Sequence, residues 1–413
     1  MKSIVKTTFV CAILAWQSMN ASTPAPKSSA SGSFGNDVRF VDSFTRLIVL
    51  SEPHSEALIA VSPSMQGRVL TSTASGWDGR SFGWVNRELI ASGKIQQHFN
   101  AYGGEDRVWI GPEGGQFSVF FAAHQPFDLA HWFTPAALDT EPFDVVHRSR
   151  SSIDFRKLFT LTNYSDTNFS VQIDRKVRLL SSKEIWKYLN MPRVSSLKVV
   201  GFESVNKLTN AGTQAWKKQT GLLSIWILGQ FQASPTTTIA IPIHAGPASE
   251  LGKRVDSDYF GQIPPDRLLV DPNIIYFKAD AHYRSKLGIN PLRATGIFGS
   301  YDAQNHVLTL VQYTFPKEKS DYVNSAWKIQ AHPYHGDSEN AYNDGRQSPG
   351  GPRLGNFYEL ETSSPAAAIG PGQSIEHIHR TFHFEGNSEE LDEVARKTLG
   401  VGLDAISNAL PRR

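Results

Sequence analysis

Between Ser170 and Leu180 apolar and polar residues alternate with a period of two. Val171, Ile173, Val177 and Leu179 fall on one side, and Gln172, Asp174, Lys176 and Arg178 on the other. That is the pattern of a half-buried strand. Arg175 is the one charge on the apolar side. Gly115–Ala122, Gly221–Phe231, Thr236–Ile243 and Val307–Phe315 are further β-rich runs, and Ser374–Phe384 reads as a late strand. Clusters of Gly, Pro, Asn and Asp separate them. Strands are expected from about Val38 onward. Helical spacing is confined to short stretches at Ser182–Leu189 and Asp128–Ala137 and to the C-terminal Asn387–Leu410. There Asn387 or Ser388 can cap, Leu391, Val394, Ala395 and Leu399 form a stripe, and Gly400 and Gly402 interrupt. No solenoid or propeller repeat is visible. Many strands with few helices predict an all-β fold, a large antiparallel sandwich with few short helices and a C-terminal helix.

The N-terminus departs from this pattern. Lys2 and Lys6 precede an apolar run from Thr7 to Trp16, and small residues follow, with Ala21 a cleavage position. This reads as a signal peptide over residues 1–21. Residues 22–36 read as a flexible Ser/Ala/Pro/Gly linker, which leaves 37–413 as a single domain. The one cysteine, Cys11, lies inside the apolar run, so the rest of the chain offers no disulfide, no thiol nucleophile and no thiolate metal site. Export to a bacterial periplasm or medium is the expectation. The balance of 41 basic and 39 acidic residues gives no field for nucleic acid or an anionic membrane. No later stretch is long and apolar enough to span a membrane. A monomer or weak homodimer is expected.

Candidate chemistry gathers in three polar segments. Gln97–Phe117 sets Glu105, Asp106, Arg107 and Glu113 between two Gly pairs, with His98, Asn100, Tyr102 and Trp109 nearby. Glycines admit close backbone approach, aromatics offer flat faces, and acids and arginine give directional hydrogen bonds to hydroxyls. Charges pairing across a hairpin explain the composition equally well. The segment 327–351 is polar and Gly-rich and reads as a long loop. Its His332, Tyr334, His335, Asp337, Asn340, Tyr342 and Asp344 can line a cleft or ligate a divalent cation such as calcium through oxygens. No other cofactor is called for. On the Ser374–Phe384 strand, His377, His379 and His383 share a face with Ile375, and a solvated sheet face accounts for them better than a metal. The chain has no G-x-S-x-G, no P-loop and no dinucleotide fingerprint.

The stretch from Phe357 to Gly372 resembles the end of aldose 1-epimerases. Leu360-Glu361-Thr362-Ser363, Pro365, Pro371-Gly372-Gln373 and the strand to Phe384 stand where that family has a Leu-Glu-Thr-Gln strand, a proline, a Pro-Gly-Glu turn and a final strand. Gly67-Arg68 and Gly103-Gly104 resemble the family's early Gly-Arg and Gly-Gly. The resemblance implies a galactose mutarotase-like β-supersandwich, in an uncharacterised family of exported bacterial proteins. It makes Glu361 the base that takes the anomeric proton, with Glu359 as a register alternative on the same strand face. Tyr102 stands in the place of the family's first histidine, and Asn206–Trp216 lacks the second.

The expected function is thus a carbohydrate-active enzyme: an epimerase, a lyase or a glycoside-processing enzyme. Glu361 serves as base, Glu105, Asp106 or His98 as acid partner, and Arg68 and Arg107 orient hydroxyls or a uronate carboxylate. Asn100, Tyr102, Trp109, Glu113, His332, Tyr342, Asp344 and Glu359 complete the binding set. The alternative is a non-catalytic glycan-binding protein that uses Trp109, Tyr102, Trp132 and Tyr342 as platforms.

Overall fold

A computed structural model describes residues 32–257, 259–316, 320–346 and 353–411. The signal-peptide expectation and most of the linker lie outside them. The described strands, in chain order, are β1 (Ile48–Ser51), β2 (Leu58–Ser62), β3 (Arg68–Thr73), β4 (Gly104–Gly111), β5 (Asp144–Arg148) and β6 (Ser152–Thr162). Then come β7 (Asn168–Leu179), β8 (Lys198–Asn210), β9 (Ser224–Gln232), β10 (Thr237–Pro242), β11 (Leu268–Val270) and β12 (Ile274–Lys278). The last are β13 (Ser285–Ile289), β14 (Ile297–Asp302), β15 (Val307–Tyr313), β16 (Glu339–Asn343), β17 (Phe357–Ser363) and β18 (Ser374–Glu385). They form two antiparallel sheets. One has eight strands in the order β1-β2-β3-β4-β9-β17-β16-β13, and the other has ten, in the order β11-β12-β10-β14-β15-β18-β8-β7-β6-β5.

The alternation read at Ser170–Leu180 is β7. Val171, Ile173, Val177 and Leu179 are buried against the eight-stranded sheet in the main core with Val61, Val69, Ile110 and Ile227. Arg175 stays on that buried side because Asp106 meets it there: Arg175 Nη2 donates 2.7 Å to Asp106 Oδ1, and neither side chain touches solvent. A second core joins β10, β13, β16 and β17, and a third lies under the C-terminal helices.

Helices are short and peripheral: α1 (Phe34–Asp42), α2 (Arg87–Ser92), α3 (Ala136–Asp139), α4 (Ser182–Tyr188), α5 (Ala248–Leu251), α6 (Ser388–Leu399) and α7 (Leu403–Asn408). Asn387 caps α6 through the Glu390 N–H, and Gly400 ends it at φ 75°, where a left-handed residue is needed.

Four sequence expectations are corrected. Residues 34–36 belong to α1 rather than the linker, and Val38 is helical rather than extended, because Ser33 caps the helix and Phe34, Val38 and Val41 bury its apolar side. Gly115–Ala122 is not a strand. It turns so that Phe120 and Phe121 pack on Trp132 and Trp327. The segment 327–351 is not one long loop, since Glu339–Asn343 forms β16 with every residue buried. The three histidines of β18 do not face solvent. His377 and His379 both share Thr362 Oγ1, at 2.8 and 2.9 Å, and His383 bridges Thr309 and Glu105 between the sheets.

Candidate functional site

The outer face of the eight-stranded sheet carries the charge. Tyr358, Leu360 and Thr362 of β17 turn toward the ten-stranded sheet, so Glu359, Glu361 and Ser363 leave the strand on the opposite side. Register then fixes the neighbours. Leu228 and Asn340 flank Glu361, Gln230 and Tyr342 flank Glu359, Arg107 lies beside Leu228, and Lys286 beside Tyr342.

Lys286 Nζ donates to Glu361 Oε2 at 2.8 Å, and Trp226 Nε1 donates to the same oxygen at 2.9 Å. Glu361 Oε1 has no hydrogen-bond partner among the described residues. Arg107 Nη2 donates to Glu359 at 3.2 Å, while its guanidinium lies 4.3 Å from the ring centre of Trp109 and 4.9 Å from that of Phe99. Its Nε and Nη1 have no hydrogen-bond partner among the described residues. Burial raises the Glu359 carboxyl, Arg107 opposes this, and the Glu361 charge adds to it. Burial likewise raises Glu113 against the pull of Lys286, with Glu361 again adding. Burial disfavours the Lys286 ammonium, but Glu361 and Glu113 outweigh it and hold the group above its ordinary value. One carboxylate is thus pinned by an ammonium, with a second oxygen left to accept a proton, beside two carboxyls biased toward their neutral form.

Most of this face is covered. Glu361 is 0% exposed and Arg107 2%. Trp132, Phe120 and Leu138 pack over Trp109 and Trp226, and Tyr259 sits 5.6 Å above the Lys286 ammonium. Beside Lys286 and Trp226 a void of about 10 Å³ remains, also walled by Tyr259, Asp337, Asn340 and Ser363. It has room for about one water. Asp337 borders in addition a much larger cleft of about 900 Å³, lined by Asn290, Tyr322, Asn324, His332 and Tyr334 among others.

The expected site residues divide accordingly. Glu361, Glu359, Arg107, Trp109 and Tyr342 share the outer face, and Glu113 reaches it from the turn after β4. Glu105 and Asp106 do not. The β4 register shifts between Gly104 and Arg107, so both residues oppose Gly229 in a bulge and turn inward. Glu105 accepts from Ser72 and pairs with His383 at 2.6 Å, and Asp106 pairs with Arg175. The bulge explains the correction, because without it one of the two would point outward. Arg68 is buried, donates to Gly103 O and Gln66, and is lowered to about 9 by burial and by Arg107. Asn100 is held by Asp139, and Tyr102 lies near Arg68. His98 bonds Trp132 O and stacks on Phe133. His332 stacks on His335 at the cleft. Asp344 accepts from Tyr342 and from the Gly355 N–H. Among the described residues no group of three or more His, Cys, Asp or Glu is placed to hold a metal.

By sequence, Tyr259 sits in a Gly-flanked loop with Lys253, Arg254 and Asp256 that could reach the site, and Lys286 in a run with Lys278, Tyr283 and Arg284 that could contact an acidic sugar. A surface explanation is the commoner one for both, and Trp226 carries no such signal. Lys286 lies in a basic, aromatic run that reads as sheet surface. Only the alternation Lys286, Leu287, Gly288, Ile289 marks it as opposite a core face, and what covers that face comes from distant segments.

A profile for a family of unknown function, DUF6786, matches residues 32–410. The chain belongs to this family. No curated protein sequence matches it. Solved structures similar in fold include galactose mutarotase-like and aldose 1-epimerase-related proteins. One is a candidate aldose 1-epimerase from Escherichia coli K12, 13% identical, with a TM-score of 0.49, covering 83% of this chain and 99% of that one. Another is a galactose mutarotase-like protein from Lactobacillus casei, 10% identical, with a TM-score of 0.44, covering 82% and 100%. At this level of likeness, the architecture of the DUF6786 chain stands on its own strand register.

Proposed function

We propose that this DUF6786 chain binds a sugar or oligosaccharide and performs proton-transfer chemistry on it at the outer face of the eight-stranded sheet, with Glu361 as proton acceptor. The observation that carries this is the Glu361 carboxylate, anchored through one oxygen by Lys286 and Trp226 and left with a free Oε1. The Leu-Glu-Thr motif around it supports the same role. Arg107 offers two unpartnered N–H-bearing nitrogens for hydroxyls, and Trp109 and Trp226 supply flat apolar walls. A sugar ring exceeds the water-sized void, so it reaches Glu361 only when side chains over the void, Tyr259 first, swing aside.

That closure favours one second reading, a glycan-binding protein without turnover that holds its ligand in the large cleft. The signal-like N-terminus supports action outside the cytoplasm of a bacterium. The test is a panel of neutral and uronate mono- and oligosaccharides, scored for binding by calorimetry and for chemical change by NMR. Binding with change supports the enzyme, binding alone supports the second reading, and neither rejects both.

A further inference from the structure

We propose that Asp337 is the proton donor that works opposite Glu361, and that ligand approaches the pair along the 900 Å³ cleft that ends on Asp337. This rests on the reading of Glu361 given above. None of the acid partners expected from sequence fills that role: Glu105 and Asp106 face inward, His98 is bonded to Trp132 O, Tyr102 stands in the place of the expected histidine, and Glu359 on the site face is paired with Arg107.

The geometry singles out Asp337. Among the described residues it is the one carboxylate that borders both the cleft and the void walled by Lys286 and Trp226, the two side chains bonded to Glu361. Tyr259 Oη donates to Asp337 Oδ2 at 2.6 Å, and Asn340 Nδ2 donates to the Tyr259 hydroxyl at 3.2 Å. The carboxylate lies over Gly288 of β13, where a Cβ would come within 2.0 Å of Oδ2. Glycine there makes room for an acid on the outer face. Asn340, which bonds the Tyr259 hydroxyl, also stands opposite Glu361 in the β16–β17 register.

The charges facing Asp337 are Tyr259 and Asp256 from one loop, Lys253 from the same loop, and Lys286 from β13. Burial raises the carboxyl to about 7, Tyr259 lowers it and Asp256 raises it, and the two lysines lower it. A carboxyl raised in this way can carry a proton close to neutral pH and give it up, while Glu361, bonded through Oε2 to Lys286, presents an Oε1 without a partner among the described residues.

In the step this supports, Glu361 Oε1 takes the proton of the anomeric hydroxyl. The O–H pair becomes the C1=O bond, the C1–ring-oxygen bond breaks with its pair on the ring oxygen, and that oxygen takes the Asp337 proton. Closure on the other face returns both protons. No oxidant or further reactant is needed.

The test measures α/β anomer exchange by NMR for glucose, galactose, maltotriose and cellotriose, with the full chain as wild type, Asp337→Asn, Tyr259→Phe and Glu361→Gln. Calorimetric Kd and melting temperature are taken alongside. The expected result is that Asp337→Asn slows exchange by about 100-fold or more, with Kd within about threefold and melting unchanged. Losing the Tyr259 hydroxyl removes a bond that favours the carboxylate, so Tyr259→Phe shifts the alkaline limb of the pH profile upward. Exchange at the wild-type rate in Asp337→Asn, or an unmoved limb in Tyr259→Phe, overturns the assignment. If Glu361→Gln is inactive while Asp337→Asn is not, only the donor assignment falls. If wild type binds these sugars without exchanging them, the proton-transfer reading of Glu361 falls with it.

Discussion

Lys286 Nζ and Glu361 Oε2 meet at 2.8 Å across an intervening strand: β13 and β17 flank β16, and the ion pair spans it with both side chains buried. A buried pair of this kind is weak evidence of net stability, but removing one partner strands the other charge.

Lys286→Met is therefore expected to cost about 3–5 kcal/mol in urea unfolding. The double variant Lys286→Met/Glu361→Leu should recover much of that loss, since it removes both charges from the interior. Additive losses in the two single variants and the double would show that the pair is not coupled.

The bulge that turns Glu105 and Asp106 inward depends on Gly229. A Cβ there would lie 2.5 Å from the Glu105 carbonyl oxygen and 2.8 Å from the Phe231 ring. Gly229→Ala should destabilise by about 1–3 kcal/mol through overpacking, read as a lower midpoint in chemical unfolding. A neutral outcome would mean that the β4–β9 register relaxes without strain.

Stability should fall as pH rises from 6.5 to 8. Burial pushes the Glu339 carboxyl up to about 8 from the model-peptide value of 4.5, against bonds from Tyr313 and the Gly296 N–H. In this window the unfolded chain has already lost the proton that the folded chain keeps, so each pH unit costs up to ~1.4 kcal/mol. Asp337 and Glu359, both raised, act in the same direction. His377 and His379, lowered to about 3 and about 4 by burial, oppose this trend at the low end of the window, where unfolded imidazoles are still partly protonated, and fall silent above about pH 7.5. Melting temperatures of wild type and Glu339→Gln across this range check the claim, and the variant should lose less stability than wild type as pH rises.

Much of the fold could be read from the sequence because β7, β9, β10, β15 and β18 carry period-two or apolar runs, and because α6 shows its cap, stripe and glycine stop. Glu361 was legible through its short motif. β16 was not, because Glu339, Asn340 and Asn343 look like loop residues until distant segments bury them. The inward turn of Glu105 and Asp106 was hidden for a related reason: a bulge changes which face a side chain takes, and nothing local announces it. Lys286 takes its place through its bond to Glu361 and its coverage by Tyr259, contacts that no local pattern encodes.

The central claim is that Glu361 accepts a proton from a bound sugar. The most direct measurement compares wild type with Glu361→Gln on whichever saccharide the panel shows to be bound, following exchange of the anomeric centre by NMR together with Kd by calorimetry. The variant is expected to bind within about threefold of wild type and to exchange about 100-fold or more slowly. Exchange at the wild-type rate in Glu361→Gln would contradict it.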